Sequence, residues 1–579
     1  MTPLRRLLHY FALYRTSLLL GGLCIVLSSA FSLAKPLIVG TAVDRLTGSF
    51  TRPDLVRFAL LYIGAAAIQG VFLYLQRRIV IGASREMEFA MRNDFYDHLQ
   101  SLPLSFYNEQ RTGDLMSRAS NDLSSVRMLI GPAIMHAFSS ILVVGGSFVM
   151  MFQLDRSLAL VSLAAVPIVA TLAKTFGERI YDKFKSVQDY FGDISARVQE
   201  NLAGVRVVRA FTQERNEIET FKRMNHQYVE RNRGLIRLTA AFYPLLHAMI
   251  GVMFVVMFFL GTREILAGSL TIGEFVAFQF YLARMIWPLI AIGWVINLFQ
   301  RGMASMQRMT EIWNVPSAKE SSAEPCSTEN FQGAIEVRNL TFAYDQRPVL
   351  RNVSIRIESG QTVGIVGRTG SGKSTLLSLI TRSYEAPLNT VFIDGCAVER
   401  IPIQSLREIT GMVPQETFLF SESIAENIRF GRAEASTSDI DRVTELAGLS
   451  SDVLGFPAGT ETVIGERGIT LSGGQKQRTA IARALIRNPL ILILDDALSA
   501  VDTATEERIL RSLKMVRRGR TVLVVSHRVS SVKDADQILV LDDGQLVERG
   551  SHEELLSRNG YYADLYRRQT LEEEIEEIA

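Results

Sequence analysis

Six long apolar stretches, crowded into roughly the first half of a 579-residue chain, constrain this sequence more than any other feature. They lie near 17–42, 56–76, 129–153, 157–176, 242–262 and 272–299. A helix crosses a bilayer with about 20 mostly apolar residues, and all six stretches approach or exceed that length. Runs such as SSILVVGGSFVMMF and IGVMFVVMFFLG are apolar on every side and leave no polar face for water. The alternative is a set of core helices in a large soluble protein, which would have to enclose six such segments within one half-chain. A multi-pass membrane domain is therefore expected. Hydrophobic residues make up 48% of the chain, but it is their distribution that decides, because the second half is mixed and charged.

The connections set the orientation. Loops after the first, third and fifth stretches are short, near 46–52, 154–156 and 262–269. Those after the second and fourth are long and basic, carrying Arg77, Arg78, Arg85, Arg92, Arg111 and Arg118, then Lys183, Lys185, Arg197, Arg206, Arg209, Lys222 and Arg223. With Arg5, Arg6 and Arg15 at the N-terminus, the positive-inside rule puts both ends and both long segments in the cytoplasm. Helix formers fill these segments, as in SREMEFAMRNDFYDHLQSL, so the spans are expected to continue as cytoplasmic stalks. MTPLRRLLHYFALYR is basic and amphipathic with no small-residue cleavage site; it is read as an elbow helix, not a removed signal. A net charge of +2 gives no case for nucleic acid as a partner. Cys24, Cys326 and Cys396 lie far apart with no CxxC, so neither a metal cluster nor a disulfide framework is expected.

Polar residues inside the spans have two readings. Arg284, between FVAFQFYLA and MIWPLIAIGW, sits near the middle of the sixth stretch, where a lone cation is costly unless it faces protein or water. It is either a cavity residue meeting a polar or anionic substrate, or a residue held by an internal ion pair or backbone contact. His247 is a second, weaker cavity candidate; a packing histidine is the alternative. Pro36, Pro167, Pro244 and Pro288 mark candidate kinks.

NVPSAKESSAEPCSTENFQG then reads as a linker, and alternating apolar residues resume with AIEVRNLTFAY. In GIVGRTGSGKSTLLSLI the pattern G-x-x-x-x-G-K-S runs through Gly367, Arg368, Thr369, Gly370, Ser371, Gly372, Lys373 and Ser374, with Thr375 following. Glycines let the backbone wrap phosphates at a positive helix end, Lys373 supplies a point charge, and the Ser374 hydroxyl suits Mg2+. Further on, LILILDDALSAVD places Asp495 and Asp496 at the end of an apolar strand, where a carboxylate can hold Mg2+. Between them, LSGGQKQR presents Ser472, Gly473, Gly474 and Gln475 at a helix start, a second anion site. Two phosphate loops about 100 residues apart suggest a nucleotide held between two copies of the domain.

With these motifs the chain resembles the ATP-binding cassette (ABC) transporters, in the exporter arrangement with the membrane domain fused ahead of the cassette. The resemblance covers nearly the whole chain. It implies an all-α transmembrane domain of six helices followed by an α/β P-loop NTPase. The parts would be an elbow helix at 1–16, the membrane domain at 17–313, a linker at 314–333, the cassette at 334–570 and an acidic tail at 571–579. It also implies ATP and Mg2+ as cofactors, with Tyr344 stacking on adenine, Gln415 and Asp495 near the metal, and His527 as the switch residue at the terminal phosphate. Glu466 would lie in the exporter-specific segment, and Ser499 to Asp502 in the loop at the cassette interface. The segments from Tyr107 and from Glu200 resemble the two cytoplasmic coupling segments.

One position departs from the pattern. The family usually has glutamate after the magnesium aspartate, where it polarises the attacking water; here Asp496 is one methylene shorter. A positioning error on the order of 1 Å can cost about 100-fold in rate. A slow site of this chain's own, beside an intact LSGGQ, is similar to heterodimeric multidrug-resistance-like half-transporters. The expected partner is a second half-transporter, hetero- or homodimeric, in a bacterial inner membrane with the cassette in the cytoplasm. The expected cargo is a lipophilic or amphipathic drug, lipid or peptide, moved by alternating access. The other readings are a homodimeric flippase-like exporter, and a nucleotide-regulated membrane protein that transports nothing. A soluble cassette ATPase is opposed by the six spans. An importer is disfavoured because importers usually carry their spans on a separate chain.

Overall fold

The computed structural model describes residues 1–47, 51–317, 325–344, 347–465, 471–501, 503–516 and 519–578; side chains at 165–170, 172–174, 243, 290, 503–504, 513–516 and 572–578 are outside that description. Glu466 and Asp502 also fall outside it, as does the side chain of Pro167. The chain divides into two compact units, Met1–Ser101 with Gln110–Pro316, and Leu102–Glu109 with Ser317–Ala579.

The first unit is helical. A short amphipathic α1 (Pro3–Leu13) leads into α2 (Arg15–Leu46) and α3 (Arg52–Ser101). A six-residue α4 (Leu104–Glu109) follows and belongs to the second unit. Next come α5 (Thr112–Leu154), interrupted by π-turns at Arg118–Asp122 and Leu129–Ala133, and α6 (Arg156–Ala203). The unit closes with α7 (Val205–Ala210), α8 (Glu214–Leu266) and α9 (Ile272–Trp313). Among the described residues five helices, α2, α3, α5, α8 and α9, are long and apolar enough to cross a membrane. The remaining expected span, 157–176, falls on α6, where several side chains are undescribed. In lipid every backbone amide must be satisfied within the segment, which is why these stretches are helices and not loops. At 50 residues α3 is about 75 Å long, far beyond a bilayer, so the stalk expectation agrees with the geometry. Helix continues through Pro36, Pro244 and Pro288.

Helices α2, α3, α5 and α9 pack together, whereas α6 and α8 pair mainly with each other. The α2–α9 contact depends on glycine, because a Cβ on Gly273 would lie 2.0 Å from the Gly40 carbonyl oxygen. Asp44 completes that contact by accepting from the Gly273 amide and from the Thr271 hydroxyl, both at 2.7 Å. Along α6 and α8, Arg197 reaches Glu217 at 2.6 Å, and the Arg231 guanidinium covers the Tyr190 ring at 4.1 Å.

In the second unit β1 (Ile335–Tyr344), β2 (Arg347–Ile357), β3 (Thr362–Gly367), α10 (Lys373–Ile380), β4 (Val391–Ile393), β5 (Cys396–Ala397), α11 (Ile403–Ile409) and β6 (Thr410–Val413) come first. They are followed by α12 (Ile424–Arg429), α13 (Thr437–Leu446), α14 (Ser450–Leu454), α15 (Gly473–Leu485), β7 (Ile491–Asp495), α16 (Thr503–Val516) and β8 (Thr521–Val525). The last elements are β9 (Gln537–Asp542), β10 (Gln545–Gly550), α17 (His552–Ser557) and α18 (Tyr561–Ile578). An antiparallel sheet runs β2-β1-β4-β5, and a larger sheet runs β10-β9-β3-β8-β7-β6 with its inner strands parallel. The parallel strands are apolar on both faces. On β7, Ile491 and Ile493 enter the core shared with α10 and the smaller sheet, while Leu492 and Leu494 enter the core under α15. Double-sided burial is what a parallel sheet covered on both faces requires.

The cysteine expectation is corrected here. Cys326 and Cys396 form a disulfide across 70 residues, with the Cys326 amide donating to the Arg400 carbonyl at 3.0 Å. Their separation in sequence concealed the pairing, because the β4–β5 hairpin carries Cys396 back to the start of the domain. Cys24 is a buried free thiol.

Candidate nucleotide site

Strand β3 ends at Gly367, whose φ of 153° and crowded surroundings exclude a side chain; a Cβ there would lie 2.1 Å from the Leu541 carbonyl oxygen. The chain then turns through Arg368–Gly372 into α10, so backbone amides gather at a helix N-terminus, the arrangement that favours phosphate. Lys373 is buried, and its ammonium donates to the carbonyls of Gly367 at 2.9 Å and Arg368 at 2.8 Å. Burial pulls this ammonium below its ordinary pKa, with Asp495 and Asp496 opposing the shift. The Ser371 hydroxyl is buried with no hydrogen-bond partner among the described residues. An orphaned donor, a buried cation and a helix start together fit a polyphosphate.

Ser374, one residue on, donates to Asp495 at 3.2 Å, joining the first turn of α10 to the end of β7. Asp495 is buried, and desolvation pushes its carboxyl above the usual range; Asp496 adds to the rise, while Ser374, Lys373 and His527 oppose it. The structure therefore brings Lys373, Ser374, Asp495, Asp496 and His527 into one electrostatic neighbourhood. Asp496 has a left-handed backbone, φ 49°, and its amide donates to the Val525 carbonyl at 2.9 Å. The loop 496–500 is held from α15: Gln477 Nε2 donates to the Ser499 hydroxyl at 3.0 Å, and Gln477 Oε1 accepts from the Ala500 amide at 3.0 Å. His527 follows β8, with its carbonyl accepting from Gln569 at 2.6 Å. Gln415 is exposed in the loop after β6.

Tyr344 closes β1, its ring 5.1 Å from that of Tyr384 and its hydroxyl 3.5 Å from Thr375, so the aromatic edge lies beside the start of α10. The LSGGQ segment opens α15, at the same end as Gln477. Ser472 caps the helix and shares a capping box with Gln475, leaving Ser472 and Gly473 exposed. Sequence reasoning missed the brace behind this cap, where Asp452 accepts from Gln475 at 2.9 Å and from Arg478 at 2.7 Å. It also missed Gln477, although that residue lies inside the LSGGQKQR motif. A third missed contact ties α4 to the cassette: the Asn108 amide donates to the Tyr384 hydroxyl. The other candidate coupling element, α7, is exposed, with Val207 at 61% and Phe211 at 72% accessibility around its end. Arg284 is half-buried on α9 and His247 is exposed on α8, the helix paired with α6.

Comparison with known proteins agrees with this geometry. Residues 18–289 match the ABC transporter transmembrane region, and residues 350–499 match the ABC transporter domain. A probable multidrug resistance ABC transporter ATP-binding/permease protein of Bacillus subtilis, YheI, is 34% identical over 572 residues, covering 98% of each chain. The multidrug resistance-like ATP-binding protein MdlA of Escherichia coli is 35% identical over 550 residues, covering 95% of this chain and 93% of that protein. The solved structure of a bacterial Atm1-family ABC exporter with ATP bound superposes with a TM-score of 0.80 at 28% identity, over 96% of this chain and 99% of that one.

Proposed function

The chain belongs to the ABC transporter family as an exporter half-transporter, and from that premise we propose that it is the slow-site half of a heterodimer. What the family establishes is coarser: an ATPase coupled to export, with a multi-pass membrane domain, working as a dimer. The heterodimer reading rests on one observation. The backbone of Asp496 is fixed by the Val525 carbonyl on one side and the Gln477-held loop on the other. Its carboxylate therefore cannot gain the missing methylene by a backbone shift, and it stops short of where a glutamate would present its oxygen.

In this reading ATP supplies the phosphates and Mg2+ neutralises their charge when bound. Gly367–Ser374 would cradle the phosphates, with Ser374, Gln415 and Asp495 holding the metal. Tyr344 would cover the base, and His527 would sense the terminal phosphate. Ser472, Gly473, Gly474 and Gln475 would face the nucleotide on the partner's cassette and complete a faster site there. Closure of the two cassettes would pull on α4 and α7, and through them on the long stalks. The cargo would be a lipophilic or amphipathic drug, lipid or peptide, leaving through a bacterial inner membrane with the cassettes in the cytoplasm.

The test is ATP hydrolysis by the purified chain alone and with a candidate partner half. The expected result is slow turnover alone, a large gain with the partner, and acceleration by Asp496→Glu. Full turnover by the chain alone, unchanged by Asp496→Glu, would instead identify a homodimer that tolerates aspartate.

A further inference from the structure

The six apolar stretches contain four cations, Lys35, Arg57, Lys174 and Arg284, and a single acid, Glu274. That acid is spoken for: it sits in the first turn of α9, where its carboxylate accepts from the Thr271 amide at 2.9 Å in a capping box. Asp44, just past the first stretch, is occupied by Thr271 and Gly273. Among the described residues of these stretches, that leaves positive charge with no carboxylate free to neutralise it.

Two of those cations come together. The Tyr281 hydroxyl on α9 donates to the Leu33 carbonyl on α2 at 2.6 Å, which brings Arg284 and Lys35 to one level of the packed helices, and both are half-buried. The Lys35 ammonium lies 5.9 Å from the ring of Tyr62 on α3, and Tyr281 precedes Arg284 by three residues on α9. Neither cation has an ion-pair partner among the described residues. Counted from the helix ends at Leu46, Arg52 and Ile272, all three levels fall about 15–18 Å inside the segment, well within a hydrocarbon layer about 30 Å thick. Like charges at that depth repel and are poorly solvated, and a ring face compensates only in part. Phe280 and Trp287, four residues before and three after Arg284 on the same helix face, are 50% and 73% accessible. The face therefore presents a cationic centre flanked by open aromatic surface.

We propose that Lys35 and Arg284 form the headgroup site of the transport cavity, and that its ligand is an anionic amphiphile: a sulfonate, phosphate or carboxylate on an apolar body. The anion neutralises the pair, and Phe280 and Trp287 receive the apolar part. A lipophilic cation meets repulsion at the same place. This inference deepens the export reading and rests on it for the word transport, though the binding site itself can be tested separately.

The experiment compares two xanthene dyes on the purified full-length transporter in nanodiscs of neutral phosphatidylcholine. Sulforhodamine B carries net negative charge and rhodamine 6G is a cation, and binding is read by fluorescence polarisation. Sulforhodamine B should bind at least about tenfold more tightly, and Lys35→Gln and Arg284→Gln should each weaken it by about tenfold while leaving rhodamine 6G unchanged or tighter. Arg284→Lys should retain most of the affinity, and it carries the test with Lys35→Gln if Arg284→Gln does not fold. Equal or tighter binding of rhodamine 6G, or sulforhodamine B affinity unmoved by Lys35→Gln and Arg284→Lys alike with Arg284→Gln also unmoved or misfolded, overturns the proposal. Uptake into proteoliposomes that hold the chain together with its partner half separates the two readings. Charge-selective binding without ATP-dependent uptake sinks export and leaves the site; ATP-dependent uptake indifferent to dye charge leaves export and sinks the site.

Discussion

The Ser374 hydroxyl donates to the Asp495 carboxylate across 3.2 Å, so the phosphate loop and the end of β7 meet at one pair of oxygens. Both belong to a single prospective metal site, and both depend on the parallel sheet that sets β3 beside β8 and β8 beside β7. Asp495→Asn should therefore cut the ATP hydrolysis of the chain by itself by about 100-fold or more, by removing charge from a preorganised site. Ser374→Ala should do so less severely and be partly rescued by raised Mg2+. Steady-state hydrolysis across a Mg2+ titration checks both; an Asp495→Asn enzyme with near-normal turnover would contradict the assignment.

Gln477 secures the loop that carries Asp496. Replacing it with Ala removes hydrogen bonds to Ser499 and Ala500 and should lower stability by about 1–2 kcal/mol. Turnover should fall about tenfold as the loop loosens, with ATP affinity little changed. Nucleotide binding and hydrolysis measured on the same preparation distinguish this from general unfolding, which would reduce both together.

Gly273→Ala tests the close approach of α2 and α9. The added methyl has no room against the Gly40 carbonyl and the Asp44 carboxylate, and overpacking of this kind costs about 1–3 kcal/mol. The melting temperature of the detergent-solubilised protein should fall, whereas Gly145→Ala, at an open position on α5, should leave it unchanged.

Glu217, in the first turn of α8 and well before its apolar stretch, accepts from Asn201 at 2.8 Å and from Arg197 at 2.6 Å. The Asn201 hydrogen bond, then Arg197, hold its carboxyl below the ordinary range. A carboxylate with a depressed folded pKa contributes stability at neutral pH and loses it as pH falls through that depressed value. Protection of the amides around 197–217, taken relative to their intrinsic exchange rate at each pH, should be high at pH 7 and fall only on acidification below the usual glutamate range. Glu217→Gln should show the low protection already at pH 7.

What the sequence alone determined is what neighbouring residues decide together. Six apolar stretches, their basic connections, the phosphate loop from Gly367 to Ser374 and the LSGGQ segment are all contiguous, and hydropathy, helix capping and phosphate binding act over one to a few turns. The expected helical membrane half and α/β cassette follow from these local rules. Tertiary structure decided which distant residues meet. The Cys326–Cys396 pairing, the Gln477 hold on the loop 496–500, the Asp452 brace and the seat of α4 against Tyr384 all join segments separated by turns whose paths no local pattern encodes. The convergence of Lys35 and Arg284 is the same kind of fact. Each is an isolated cation in its own apolar run, and only the close packing of α2, α3 and α9, permitted by Gly40 and Gly273, turns two separate charges into one site.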